Sequence, residues 1–179
     1  DKVTALASVV DAASSTSTSG HLKAGSYKQT ATAISGVDAD NYSFAGVTTS
    51  NANYSVSKKD LVISASANNK VYDTTTTASA SLSSDQLAGD SLSLSSTSAS
   101  FDTKNVGTNK TVTVSGLAIS GTDADNYNLT NTSTSTTANI TKAELTLKAV
   151  ADEKIYDGKV SSDKAVTVIN NSAGADIVI

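Results

Sequence analysis

Apolar residues in this chain recur at every second position in short runs, not at helical spacing. Leu61, Ile63 and Ala65 alternate with Val62, Ser64 and Ser66, and Leu145, Leu147 and Ala149 alternate with Thr146 and Lys148. A period of two predicts half-buried strands with Leu61/Ile63/Ala65 and Leu145/Leu147/Ala149 turned inward. Val112 and Val114 mark a strand over 110–114, Leu92 and Leu94 another, and Phe101 anchors the next. Tyr127–Leu129 and Thr136–Ile140 read as later strands. The threonine run Thr74–Thr77 disfavours helix and predicts an extended stretch to Ala80. Turns are expected at Asn68–Asn69, at Asn105–Asn109 with Gly107 at its centre, and at Asp123–Asn126. Gly116 predicts a bulge or a closely approached backbone. Only Ala5–Ala13 has helical appeal, and its Val9 and Val10 suit a strand equally well.

These strands belong to a repeat. Ile34-Ser35-Gly36-Val37-Asp38-Ala39-Asp40-Asn41-Tyr42 returns as Ile119-Ser120-Gly121-Thr122-Asp123-Ala124-Asp125-Asn126-Tyr127. Lys58-Lys59-Asp60-Leu61 returns as Lys142-Ala143-Glu144-Leu145, and Val71-Tyr72-Asp73 as Ile155-Tyr156-Asp157. The repeat divides the chain into the back part of a divergent copy (1–57), a complete copy (58–141) and the front part of a third (142–179). The fold class is therefore all-β: tandem small β-sandwich units, Ig-like or related, forming an elongated rod. The link Ile140–Glu144 has neither Gly nor Pro, so adjacent units are expected nearly end to end with little hinge.

Composition narrows the function. The hydrophobic fraction is 38% and the aromatic fraction 4%, without Trp, Met or Cys, so any core is thin and aliphatic and no disulfide holds it. All 13 basic residues are Lys, and the net charge is −4. With no Arg and no basic patch, nucleic-acid binding is not expected. No apolar run approaches the length of a membrane-spanning helix. A single histidine, His21, leaves zinc and Cys–His chemistry without ligands and offers one candidate base for a nucleophilic triad, so no enzyme is expected.

Several blocks resemble the YDG-type repeat: Lys154-Ile155-Tyr156-Asp157-Gly158, the stretch Lys104–Leu117, Gly121–Tyr127, and Ala138-Asn139-Ile140-Thr141-Lys142. The second copy departs from it with Tyr72-Asp73-Thr74, and the first replaces the Lys104–Lys110 region with Gly20–Tyr27. The resemblance implies filamentous-haemagglutinin-like adhesins exported by two-partner secretion. It therefore implies a secreted protein on the exterior of the bacterial outer membrane, with this segment a stalk or spacer that projects a distal binding region in cell adhesion or biofilm formation. Neighbouring repeats of the same chain are the expected partners. The alternative is that the repeats themselves bind extracellular polysaccharide or self-associate with identical adhesins.

The sharpest chemical candidate is the set Asp38, Asp40 and Asn41 with its copy Asp123, Asp125 and Asn126. Alternating carboxylates beside an amide could supply oxygen ligands to Ca²⁺, with Asp85, Asp90 or Asp102 completing the shell. The competing and favoured reading is that these residues cap a turn by binding its backbone N–H groups, with no cofactor. Tyr72-Asp73 and Tyr156-Asp157 are read as a packed ring followed by a turn, where Gly158 tolerates positive φ.

Overall fold

The computed structural model describes residues 1–161 and 164–171. Its secondary structure is mostly strand, and the only helical elements among the described residues are three short 3₁₀ turns, Ala12–Ser14, Ala39–Asn41 and Ala124–Asn126. An all-β chain is what a Ser/Thr/Asn-rich sequence with two-residue periodicity should form. Ala5–Ala13 resolves into two short strands, Thr4–Ala5 and Ser8–Val9, and the first of the 3₁₀ turns.

The chain gathers into two compact units that interleave along the sequence. The first comprises 1–63, 83–95 and 117–132; the second comprises 64–82, 96–116 and the described part of 133–179. Residues 58–141 thus contribute to both.

The first unit is a set of small pairings. Thr4–Ala5 pairs antiparallel with Ile34–Ser35, and Ser93–Ser95 with Ala118–Ser120. Gln29–Ala31 lies between Ser8–Val9 and Val47–Thr48. Gly25–Tyr27 pairs with Tyr54–Val56. Lys59–Leu61 runs parallel to Tyr127–Leu129, bringing together segments 68 residues apart, as in the Asn128–Asp60 hydrogen bond. Ala31, Leu61, Ile63, Leu117 and Tyr127 are its buried apolar residues. Leu61 and Ile63 are wholly buried, and Asn131 braces the Ile63 main chain, accepting from its N–H at 3.0 Å and donating to its carbonyl at 2.8 Å.

The second unit is organised by a four-stranded sheet, in the order Lys70–Val71, Ser133–Thr141, Gly107–Ser115, Ser98–Phe101. The central two strands are nine residues each and antiparallel. Val112 and Val114 are fully buried on one face with Phe101, Ala138 and Ile140, while Thr111 and Thr113 point to solvent, as alternation predicts. Gly116 ends the long strand at φ +67°; a Cβ there would lie 2.1 Å from the Thr97 hydroxyl. The turn expected at Asn105–Asn109 is displaced. Gly107 already belongs to the strand, and a bulge follows it, with Asn109 in the left-handed region at φ +51° and its N–H bonded to the Asn139 side chain at 2.8 Å.

The expected inward faces hold in one copy and fail in the other. Leu61 is wholly buried, whereas Leu145 and Leu147 are 47% and 45% exposed. The strand Leu145–Lys148 pairs antiparallel with Thr167–Asn171. No counterpart of Tyr127–Leu129 lies beside it among the described residues. Thr74 also departs from the extended reading, with φ +68°.

The contrast gives a direct expectation. Leu61→Ala should cost about 2–5 kcal/mol in urea unfolding, and Leu145→Ala less than about 1 kcal/mol, although the two occupy equivalent repeat positions.

Candidate functional site

The most conserved feature between the copies, the Gly-x-Asp-Ala-Asp-Asn-Tyr segment, builds the same structure twice. Gly36 and Gly121 take φ +124° and +115°, and Asp38 and Asp123 follow at φ −108° and −106°. Each Asp leads into a 3₁₀ turn, from which Tyr42 and Tyr127 return to extended backbone. The glycines are required by close approach as well as by φ. A Cβ on Gly36 would sit 2.1 Å from the Lys2 carbonyl oxygen, and one on Gly121 2.7 Å from that of Ser91.

That approach lets each Asp clasp the strand in front of it. The Lys2 N–H donates to the Asp38 carboxylate at 2.7 Å, and the Ser91 N–H donates to Asp123 at 2.8 Å. The reverse bonds run from the Asp38 and Asp123 N–H groups to the Lys2 and Ser91 carbonyls, at 3.5 and 3.3 Å. The tyrosine completes the arrangement. Tyr42 donates its hydroxyl to Asp1 at 2.5 Å, and Tyr127 donates to Asp90 at 2.6 Å. Asp1-Lys2 and Asp90-Ser91 are therefore equivalent, a correspondence hidden in the sequence because only the Asp is shared.

The copies differ in what covers them. In the second, a hairpin closed by the Thr16–Leu22 bridge lies over the site. The Thr18 hydroxyl and N–H both donate to the Asp123 carboxylate, the latter at 3.2 Å. Ser17 donates to Asp90 at 2.9 Å, Ser19 donates to the same oxygen, and the Ala24 N–H donates to the Asn126 side chain at 2.9 Å. Asp123 is wholly inaccessible, and Asp90 and Tyr127 are buried. In the first copy Tyr42 is 50% exposed, Asp1 is exposed and Asp38 is half-buried.

Hydroxyl and amide donors lower the Asp90 and Asp123 carboxylates below their ordinary value. Ser19, then Tyr127, hold Asp90 down at about 2, outweighing the effect of its burial. Asp123 is lowered by the Thr18 hydroxyl and the Ser91 N–H. Tyr127 is raised, first by burial and then by its bond to Asp90.

The structure does not bring the six candidate ligands together. Asp123 spends both carboxylate oxygens on hydrogen bonds, while Asp40 and Asp125 point outward. Of the supplementary candidates, Asp85 accepts from Lys59 and the Val62 N–H, and Asp102 pairs with Lys110. Among the described residues no group of three or more His, Asp or Glu side chains is placed to hold a metal ion. Ser19 stands between His21 (2.6 Å) and Asp90, whereas a nucleophilic triad needs the histidine in the middle.

A second recurring device gives the Tyr-Asp motif its content, and its centre is a lysine that sequence reading passed over. Lys70 Nζ donates to Asp73 at 2.8 Å and to the carbonyls of Thr75 and Thr77, each at 2.9 Å. Lys154 Nζ repeats this with Asp157 at 3.0 Å and the carbonyls of Lys159 and Ser161 at 2.9 and 2.8 Å. In both, the Asp also accepts the N–H two residues on, across a left-handed residue, Thr74 or Gly158. Lys70, followed by Thr75, lowers Asp73 to about 2. Lys70 also lies 5.5 Å from the Phe101 ring centre. Tyr72 is half-buried, but Tyr156 is 93% exposed, so the packed ring expected there is not seen.

Residues 57–137 match the YDG domain. No curated protein and no solved structure matches the chain.

Acid should expose the role of the carboxylates. Asp90 is held at about 2 against an ordinary 3.8, so its contribution is complete above the ordinary value and is lost as pH falls toward 2. Urea-unfolding stability should be level from pH 7 to 5 and fall below 4. Asp90→Asn should lower stability at pH 7 and flatten the acid limb.

Proposed function

We propose that this chain is a spacer segment of a large secreted bacterial surface adhesin, built from tandem all-β units set in line and exported by a two-partner route. The observation that carries the reading is repetition of purely structural devices: the Asp–Tyr clasp at Asp1/Asp38/Tyr42 and Asp90/Asp123/Tyr127, and the lysine clasp at Lys70 and Lys154. Each directs polar groups to the chain's own backbone and side chains, which ties one segment to another. The YDG domain at 57–137 supports the assignment to repeat arrays. The absence of cysteine suits a chain that crosses a membrane unfolded and folds outside.

In this reading function is mechanical. Paired strands carry load along the array, and the distal end of the full protein does the binding.

Small-angle scattering tests the geometry. A compact 179-residue domain has a radius of gyration of about 16 Å, and an in-line array should clearly exceed it. Saturable retention of the chain on extracellular polysaccharide would instead assign the binding role to the repeats themselves.

A further inference from the structure

The first copy carries the same Asp–Tyr clasp as the second, but uncovered. Its open pocket is lined by Asp1, Val3, Ile34, Tyr42, Ser43 and Phe44. Asp38 receives the Lys2 N–H, while its counterpart Asp123 receives three further donor contacts from Thr18. A carboxylate has room for about four such bonds. Asn41 is exposed, whereas its counterpart Asn126 is partly covered and accepts the Ala24 N–H.

We infer that the Asp1–Asp38–Tyr42 face is the acceptor for a hydroxyl-tipped β-hairpin of a preceding repeat, docked as residues 15–23 dock on Asp90, Asp123 and Tyr127. The occupant's chemistry follows from the filled site. It carries a Ser-Thr-Ser tip whose outer hydroxyls reach the Asp1 carboxylate. The middle residue gives Asp38 both a hydroxyl and an N–H, and a backbone N–H shortly after the hairpin reaches Asn41. Hydroxyl and amide donors suit these carboxylate and amide acceptors, as they do at Asp90, Asp123 and Asn126. The inference rests on the equivalence of the two sites, and it holds whether the array spaces or binds.

The test extends the full chain by placing a second copy of residues 1–89 directly before Asp1. The new Gly89–Asp1 junction then repeats the natural Gly89–Asp90 junction. The chain has no cysteine, so Asn41→Cys in the downstream block provides a single reporter thiol. Its maleimide labelling should be about tenfold slower in the extended chain than in the 179-residue chain, approaching the rate of Asn126→Cys in the latter. Ser17→Ala with Thr18→Val in the added block should restore fast labelling.

Unchanged labelling beside a folded added block, shown by an unfolding enthalpy that grows with the added residues, would overturn the inference. An added block that stays unfolded would overturn it too, because sequence and junction reproduce those of the filled site. Protection that survives the hydroxyl substitutions would rule out this hairpin tip as the occupant. Labelling of the 179-residue chain that slows with its own concentration would make a second copy of the chain the occupant instead.

Discussion

The buried Asp123 carboxylate is the interaction on which the first unit's architecture turns. Two segments meet there that have no ladder to share: the strand entered at Ser91 and the hairpin tip at Thr18. Both present backbone N–H groups that need acceptors once water is excluded. A single ionised side chain with no solvent exposure satisfies them. Among the described residues no buried side-chain polar atom lacks a partner, so the burial of this charge is fully compensated. Gly121 is the geometric condition, since a side chain there would push Ser91 away and open the clasp.

Such polar devices matter because the apolar interior is small. Among the described residues each unit buries five apolar residues, and only Phe101 and Tyr127 among them are aromatic. The Gly107–Ser115 and Ser133–Thr141 strands, with Val112 opposite Thr136 and Val114 opposite Thr134, supply a long ladder in place of a large core. This explains the composition. Threonine on the outward positions favours extended backbone without adding exposed apolar surface, and lysine closes a turn by taking three acceptors at once.

Much of this was legible in the sequence, and the limits have identifiable causes. Period-two alternation located the strands around Leu61, Val112 and Ile140, and the Gly–Asp–Asn–Tyr segment announced its turn. Alternation could not distinguish Leu61 from Leu145, because burial depends on what comes from elsewhere in the chain. The equivalence of Asp1 with Asp90 was invisible since their neighbours, Lys2 and Ser91, act through main-chain atoms that any residue supplies. Lys70 escaped notice for a related reason: two of its acceptors are carbonyls. The displaced turn near Gly107 reflects a left-handed Asn109, for which asparagine is a weak signal in so asparagine-rich a chain.

The parallel pairing of Lys59–Leu61 with Tyr127–Leu129 ties together distant parts of the first unit. The strand ending at buried Leu61 has Tyr127–Leu129 beside it, and the Thr130 N–H bonds the Leu61 carbonyl at 3.0 Å. Leu145 and Leu147, with the same alternation but no such cover among the described residues, stay exposed. Burial of this strand therefore depends on a segment distant in sequence as well as on its own alternation. This pairing joins segments distant in sequence, which slows folding. The hairpin clasp at Asp90 and Asp123 adds a second long-range link, from the first copy into the second. Stability in such a chain comes from closing long loops with a few well-satisfied polar contacts, and removing any one acceptor should loosen segments that share no strand pairing.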